Sequence, residues 1–168
     1  SRPRAVALKE FGPMNTIYHN GSKYRINRMT VLDAASLQRK IKISTETGYA
    51  FLDEEAETAN VDPITRSQLR NGTNSEFRTT LIELSESEGI PQERISCIEE
   101  ERNTSGYEIA EHFRYPQGIN STKNATIQNG GVKMMNMIYG QSTELIKINW
   151  KSRRSEAEGF AIDKRNGK

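Results

Sequence analysis

EFGPMNTIYHNGSKYRINRM, Glu10 to Met29, is the stretch from which the fold is read. Thr16-Ile17-Tyr18-His19 is rich in β-branched and aromatic side chains, Asn20-Gly21 is a turn dipeptide, and from Lys23 to Met29 polar residues alternate with Tyr24, Ile26 and Arg28. A type I′ turn needs φ > 0 at both central positions, which Asn and Gly tolerate, and its twist matches that of paired strands. The stretch therefore predicts a β-hairpin. Its polar members His19, Lys23, Arg25 and Arg28 hold no spacing that makes a nucleophile, a metal cage or a phosphate loop.

Strand signals continue outward from the hairpin. Upstream, Ala5 to Leu8 is a short apolar run expected as an edge strand before the turn Phe11-Gly12-Pro13. Downstream, Leu37 to Ser44 sets Leu37, Arg39, Ile41 and Ile43 against Gln38, Lys40 and Lys42, and Gly48 to Leu52 is a further short strand. Thr65 to Ser75 reads as a polar surface connection with room for a helical turn over Thr65 to Leu69. Phe77 to Leu84 predicts a strand, and Ser85 to Gln92, with Gly89 and Pro91, a loop. Arg94 to Arg102 suits either strand or helix, since Ile95, Cys97 and Ile98 fix no period; it is read as a strand over Arg94 to Glu100, joined through a turn at Asn103 to Gly106 to the nine-residue alternation Tyr107 to Tyr115. Ala125 to Gln128, Val132 to Tyr139 and Leu145 to Trp150 are strands, with a turn at Asn129-Gly130-Gly131, and Phe160 to Asp163 is a last short one. The fold class is mainly β, an antiparallel barrel or sandwich of about eight to ten short strands.

Composition narrows the class. At 168 residues the chain fits a single β-rich domain spanning 1–168. The C-terminal Arg165-Asn166-Gly167 resembles a hairpin turn whose returning strand is missing, so the chain is expected to be part of something longer. A hydrophobic fraction of 34% and a mean hydropathy of −0.77 suit thin antiparallel sheets with one wet face. No apolar run approaches the roughly 18 residues that span a bilayer, and the first residues lack the apolar centre of a signal peptide, so the expected setting is cytoplasmic with no membrane partner. The one cysteine, Cys97, excludes an internal disulfide, and its alternating surroundings predict a buried inert thiol.

Net charge is only +2, so the distribution says more than the sum. Acid gathers at Asp53-Glu54-Glu55 with Glu57, from Glu83 to Glu88, and at Glu99-Glu100-Glu101. Base gathers near both ends, at Arg2, Arg4 and Lys9 and at Lys147, Lys151, Arg153, Arg154, Lys164, Arg165 and Lys168. Neighbouring termini would make one basic face. Trp150-Lys151-Ser152-Arg153-Arg154 joins an aromatic to cations at a strand end. Such a cluster can stack a base and contact phosphates, or it can be a solvated loop with the tryptophan folded into the core. Glu99-Glu100-Glu101-Arg102 reads as a solvated turn rather than an acid/base pair. His112 alternates away from the apolar face of its strand and is expected at the surface, as is His19. The common catalytic signatures are absent, and no constellation supports a free-standing enzyme.

One spacing stands out by its missing ligands. Ser44-x-x-Thr47 and Val61-x-x-Ile64, thirteen residues apart, have the form of two zinc knuckles, with Gly48 where a knuckle needs φ > 0. None of the four positions holds a thiolate or imidazole, so neither metal nor cofactor is expected. The segment 44–69 is either a ribbon that has lost its metal or a coincidence in a polar region.

Ala7 to Pro13, then Asn15 to Gly21 and Tyr24-Arg25-Ile26, resemble the start of an accessory region found after the motor of large superfamily II DExH-type helicases. These carry a C-terminal metal-binding domain and include the helicase components of DISARM-like phage-defence systems. Glu99 to Arg102, Gly106 to Ile109, Ile148-Asn149 and Gly159 to Asp163 fit later parts of the same pattern, so the similarity covers most of the chain. The resemblance favours a degenerate zinc ribbon over 44–69, although the family's cysteines are replaced at all four positions. It implies a non-catalytic module that contributes DNA contacts or packs against the motor domains of its parent chain or a sister subunit. Without ATP-binding motifs the fragment is expected to have no activity of its own, the parent chain being an ATP-dependent helicase. The expected contacts are Lys147, Trp150, Lys151, Arg153 and Arg154, with Arg25 and Arg28 on the hairpin. The alternative is a protein–protein interaction module that binds no nucleic acid, its acidic stretches meeting a basic partner.

Overall fold

The computed structural model describes residues 4–30, 38–83, 86–92 and 106–163. Along them run α1 (Arg4–Glu10), β1 (Thr16–His19), β2 (Ser22–Met29), β3 (Gln38–Ser44), β4 (Ala50–Leu52) and α2 (Glu54–Thr58). Then come β5 (Ser75–Ile82), β6 (Ser87–Pro91), β7 (Tyr107–Arg114), a 3₁₀ turn (Ile119–Ser121), β8 (Thr122–Asn129), β9 (Val132–Gly140) and β10 (Glu144–Ser152). The fold is mainly β and antiparallel. Its strands form four small open sheets, ordered β1-β2-β6, β10-β7, β4-β3-β5 and β8-β9. Two compact units emerge: the first holds Ser1–Arg39, Thr80–Ala110 and Lys147–Lys168, the second Lys40–Thr79 and Glu111–Ile146.

In the first unit the expected hairpin forms, with Ile17 opposite Tyr24 and the turn residues Asn20 and Gly21 at φ 47° and 72°. Gln92 and Thr30 bracket the β2–β6 pairing, their amides donating to the Lys23 and Glu86 carbonyls. Among the described residues, Ile26, Met29, Tyr107 and Ile148 are the large buried apolar side chains of this unit. Tyr107 lies on Gly12, where an added Cβ would come within 2.6 Å of the ring, and its hydroxyl donates to the Pro13 carbonyl at 2.8 Å. Burial pushes its phenol up to about 12.

In the second unit β3 carries Ile41 and Ile43 inward against β4, with Ile43 opposite Ala50. Tyr49 is the hub of an aromatic cluster, its ring centroid 5.0 Å from Phe51, 5.6 Å from Phe113 and 5.8 Å from Tyr115, all at steep or tilted angles. Its hydroxyl accepts a hydrogen bond from the Tyr115 amide at 3.2 Å.

Four expectations are corrected. The Ala5 to Leu8 run is part of helix α1, because alanine, leucine, lysine and glutamate favour helix and the run has no period-two alternation. Asn15, buried, closes that helix by donating from Nδ2 to the Glu10 carbonyl at 2.7 Å. Ser85 to Gln92 is not all loop: β6 pairs with β2, its Gly89 opposite Ile26 and its Pro91 on a sheet edge where no N–H is needed. Phe160 to Asp163 is not a strand. The Gly159 amide turns back to the Trp150 carbonyl at 2.6 Å, and Phe160 packs edge-on to Tyr107 at 5.9 Å, so tertiary packing replaces strand pairing. No helical turn forms over Thr65 to Leu69, where Val61 instead bridges to Gln68. The strand read at Arg94 to Glu100, with Cys97, the Glu99 to Arg102 run, most of the Asn103 to Gly106 turn and the basic residues Arg2, Lys164, Arg165 and Lys168 lie outside the described residues.

Candidate functional site

The expected nucleic-acid contacts all belong to the first unit. Strict alternation along β2 would put Arg28 on the same face as Tyr24 and Ile26. A β-bulge intervenes: Ile26 faces Gly89 while Arg28 faces Glu88, so Asn27 has no partner on β6. One extra residue inverts every side chain beyond it. Met29 thereby joins Ile26 in the core, and Arg28 joins Arg25 on the exposed face. Arg28 pairs with Glu88 at 3.4 Å, and Arg25 directs a guanidinium nitrogen to the Met14 sulfur at 3.8 Å.

The second group sits on β10 and the turn after it. Lys147 and Trp150 are half-buried, and Lys151 reaches Glu108 of β7 at 3.6 Å. Arg153 and Arg154 are exposed. The Arg153 amide donates to the Gly106 carbonyl at 2.8 Å, and its side chain lies over Gly106, where a Cβ would meet Arg153 Cδ at 3.0 Å. The backbone of this turn is thus fixed while the guanidinium faces solvent. Arg28 and Lys151 thus have carboxylate partners, and pairs near the surface are worth only about 0–1 kcal/mol, little enough for a phosphate to displace them.

The knuckle-spaced positions lie together in the second unit, joined by a residue outside the spacing. Asp62 is fully buried, and its carboxylate accepts from Thr47 Oγ1 at 2.6 Å and from the amides of Ile64 and Thr65 at 2.7 and 3.0 Å. Ser44, also fully buried, accepts from the Thr47 amide, and Gly48 takes φ 76° directly after it. Burial would raise the Asp62 carboxyl, but the Ser44 and Thr47 hydroxyls and the Thr65 and Ile64 amides outweigh it and hold the group below the usual carboxylate range. Val61 points to solvent. Among the described residues no three His, Cys, Asp or Glu side chains gather closely enough to hold a metal ion.

His112 departs from expectation. Both ring nitrogens are shielded from solvent and make no hydrogen bond. Burial lowers its basicity, only partly offset by the nearby Gly48 backbone and Glu76. The alternation of β7 correctly turns His112 away from Tyr49's side of the strand, but that face is covered too, which a period-two pattern does not report. His19 is exposed as expected.

Comparison with protein-family models, with curated proteins and with solved structures finds no match to this chain. Among the described residues no helix is long and apolar enough to cross a membrane.

Proposed function

We propose that this chain is a non-catalytic binding module whose first unit contacts the backbone of DNA, as an accessory region of a helicase-type antiviral parent protein. The observation that carries the reading is the β2 bulge, which brings Arg25 and Arg28 onto one exposed face that strict alternation would have divided. Arg153 and Arg154, exposed on a turn anchored to Gly106, add two guanidinium groups suited to phosphate, with Lys147, Trp150 and Lys151 beside them in sequence. The parent's helicase character rests on the family resemblance alone. Within this reading the segment 44–69 is a metal-free, ribbon-like insert, supported by its knuckle spacing and by the hydrogen bond from Thr47 to Asp62 that ties its two turns.

Anisotropy of fluorescent duplex and single-stranded DNA, titrated with the chain across a salt series, tests the reading. Affinity is expected to fall linearly in log–log form, and Arg153→Gln with Arg154→Gln to reduce the slope by about one per lost phosphate contact. A folded sample that binds neither DNA form at low salt refutes it. The second reading, an interaction module for protein alone, is favoured by the pairing of Arg28 with Glu88 and Lys151 with Glu108, which leaves less free positive charge. It is distinguished by a stable complex with the parent motor or a sister subunit in the absence of DNA affinity.

A further inference from the structure

We infer that the β8–β9 ribbon is a self-association arm whose apolar face packs against the same face of a second copy of this chain. The register decides which side chains share a face. Lys123 lies opposite Tyr139, Ala125 opposite Met137, Ile127 opposite Met135 and Asn129 opposite Val132, and directly opposed residues project to one side of a sheet. The bulge between Ile127 and Gln128 preserves this arrangement to the tip, since Met134 is the extra residue and Val132 returns to the apolar side. The other face carries Thr122, Asn124, Thr126, Gln128, Lys133 and Asn136, with Thr126 and Asn136 hydrogen-bonded across the strands at 3.1 Å; its large aliphatic member, Ile138 opposite Asn124, is half-buried. The ribbon is therefore amphipathic with the period of a sheet that has a core on one side.

Among the described residues that side has no core. Ile127 is 46% exposed, Val132 64%, Met135 54%, Met137 52% and Tyr139 64%. A solitary two-stranded ribbon is marginal in water, and an uncovered apolar face of this regularity marks a contact surface. With about 150–200 Å² for each large side chain, the five leave roughly 400–550 Å² of apolar surface per ribbon. Face-to-face pairing of two copies, with the rim residues Lys123, Ala125 and Asn129, buries roughly 1,000–1,200 Å² in total, at the lower end of specific interfaces and above chance contacts.

Charge selects a second copy over a charged partner. Lys123 and Lys133 are the only charged residues from Thr122 to Gly140, and they project from opposite faces. A two-fold axis lying across the strands sets Met137 of each copy against Met135 of the other. It also places the two Lys123 side chains at opposite ends of the contact, about 20 Å apart, well beyond the screening length. The result is a four-stranded sandwich about 10 Å thick, isologous and closed.

Sedimentation velocity of the whole chain, over a concentration series reaching about 100 μM, tests the inference. The expected result is a reversible monomer–dimer equilibrium that Met137→Glu weakens about thirtyfold or more, and that Lys133→Glu, on the opposite face, leaves unchanged. Both substitutions are at exposed positions, and far-UV circular dichroism confirms that each variant folds. A wild-type chain that stays monomeric throughout the series overturns the inference, as does a dimer that Met137→Glu leaves intact.

Discussion

Replacing Asp62 should separate the cost of losing a buried acceptor from the cost of losing its charge. In Asp62→Ala the Thr47 hydroxyl and the amides of Ile64 and Thr65 all lose the carboxylate they point at, from 2.6, 2.7 and 3.0 Å. Hydrogen bonds to a charged group contribute about 1.5–3 kcal/mol each. Thr65 is exposed enough for water to replace one of them, and the Thr47 hydroxyl can rotate, so the three do not add in full. The expected loss is about 3–4 kcal/mol, a large part of the roughly 5–15 kcal/mol that holds a domain folded. Asp62→Asn keeps an oxygen for the two amides and asks the hydroxyls of Thr47 and Ser44, which can rotate, to accept instead of donate, so about 1 kcal/mol should be lost. Urea denaturation followed by circular dichroism at pH 7 measures both. Because the native Asp62 carboxyl is held below its ordinary value, its charge contributes stability at pH above that value. The contribution is lost as pH falls below about 3.8 through the lower native value. Asp62→Asn should accordingly flatten the acid limb of the stability curve. An alanine variant within about 0.5 kcal/mol of wild type, or an asparagine variant as unstable as the alanine one, would refute the view that this carboxylate ties the two turns.

Further expectations follow from burial and close packing. Since burial lowers the basicity of His112, the unfolded chain takes up a proton at a pH where the native ring does not, so stability should decline as pH falls from about 6.5 towards the native value and then level off. His112→Phe should remove that decline, as read from urea midpoints at pH 7.5 and 5.0. Gly12→Ala, whose new methyl would collide with the Tyr107 ring, should cost about 1–3 kcal/mol, whereas Tyr107→Phe, which loses only the bond to the Pro13 carbonyl, should cost about 1 kcal/mol in thermal unfolding.

Local signals in the chain were enough for the hairpin at Thr16 to Met29 and the β8–β9 ribbon. Asn20-Gly21 and Gly130-Gly131 supply the positive φ that two-residue turns demand, and the flanking runs alternate. The same rule of two misled where a neighbour intervened. Arg28 changed face because a bulge formed against Gly89, a contact with a strand some sixty residues downstream. His112 was hidden by elements the alternation of its own strand does not mention. The β6 strand was concealed by Gly89 and Pro91, residues that usually break strands and here serve an edge.

The candidate cations of β2, β10 and the turn after it were legible because charge is written directly in the sequence, but the pairing of Arg28 with Glu88 and of Lys151 with Glu108 was not. Asp62 was missed as the centre of its turn pair, although Asp62-Pro63 is a turn former whose side chain commonly accepts the next amides. By itself the sequence determined a strand-rich chain with its turns in place, because turn conformation and side-chain alternation depend on residues within reach of one another along the chain. The tertiary structure alone decided which faces are covered, which carboxylate each cation meets and which apolar surface of the ribbon remains bare, because burial is set by contacts between residues far apart in sequence.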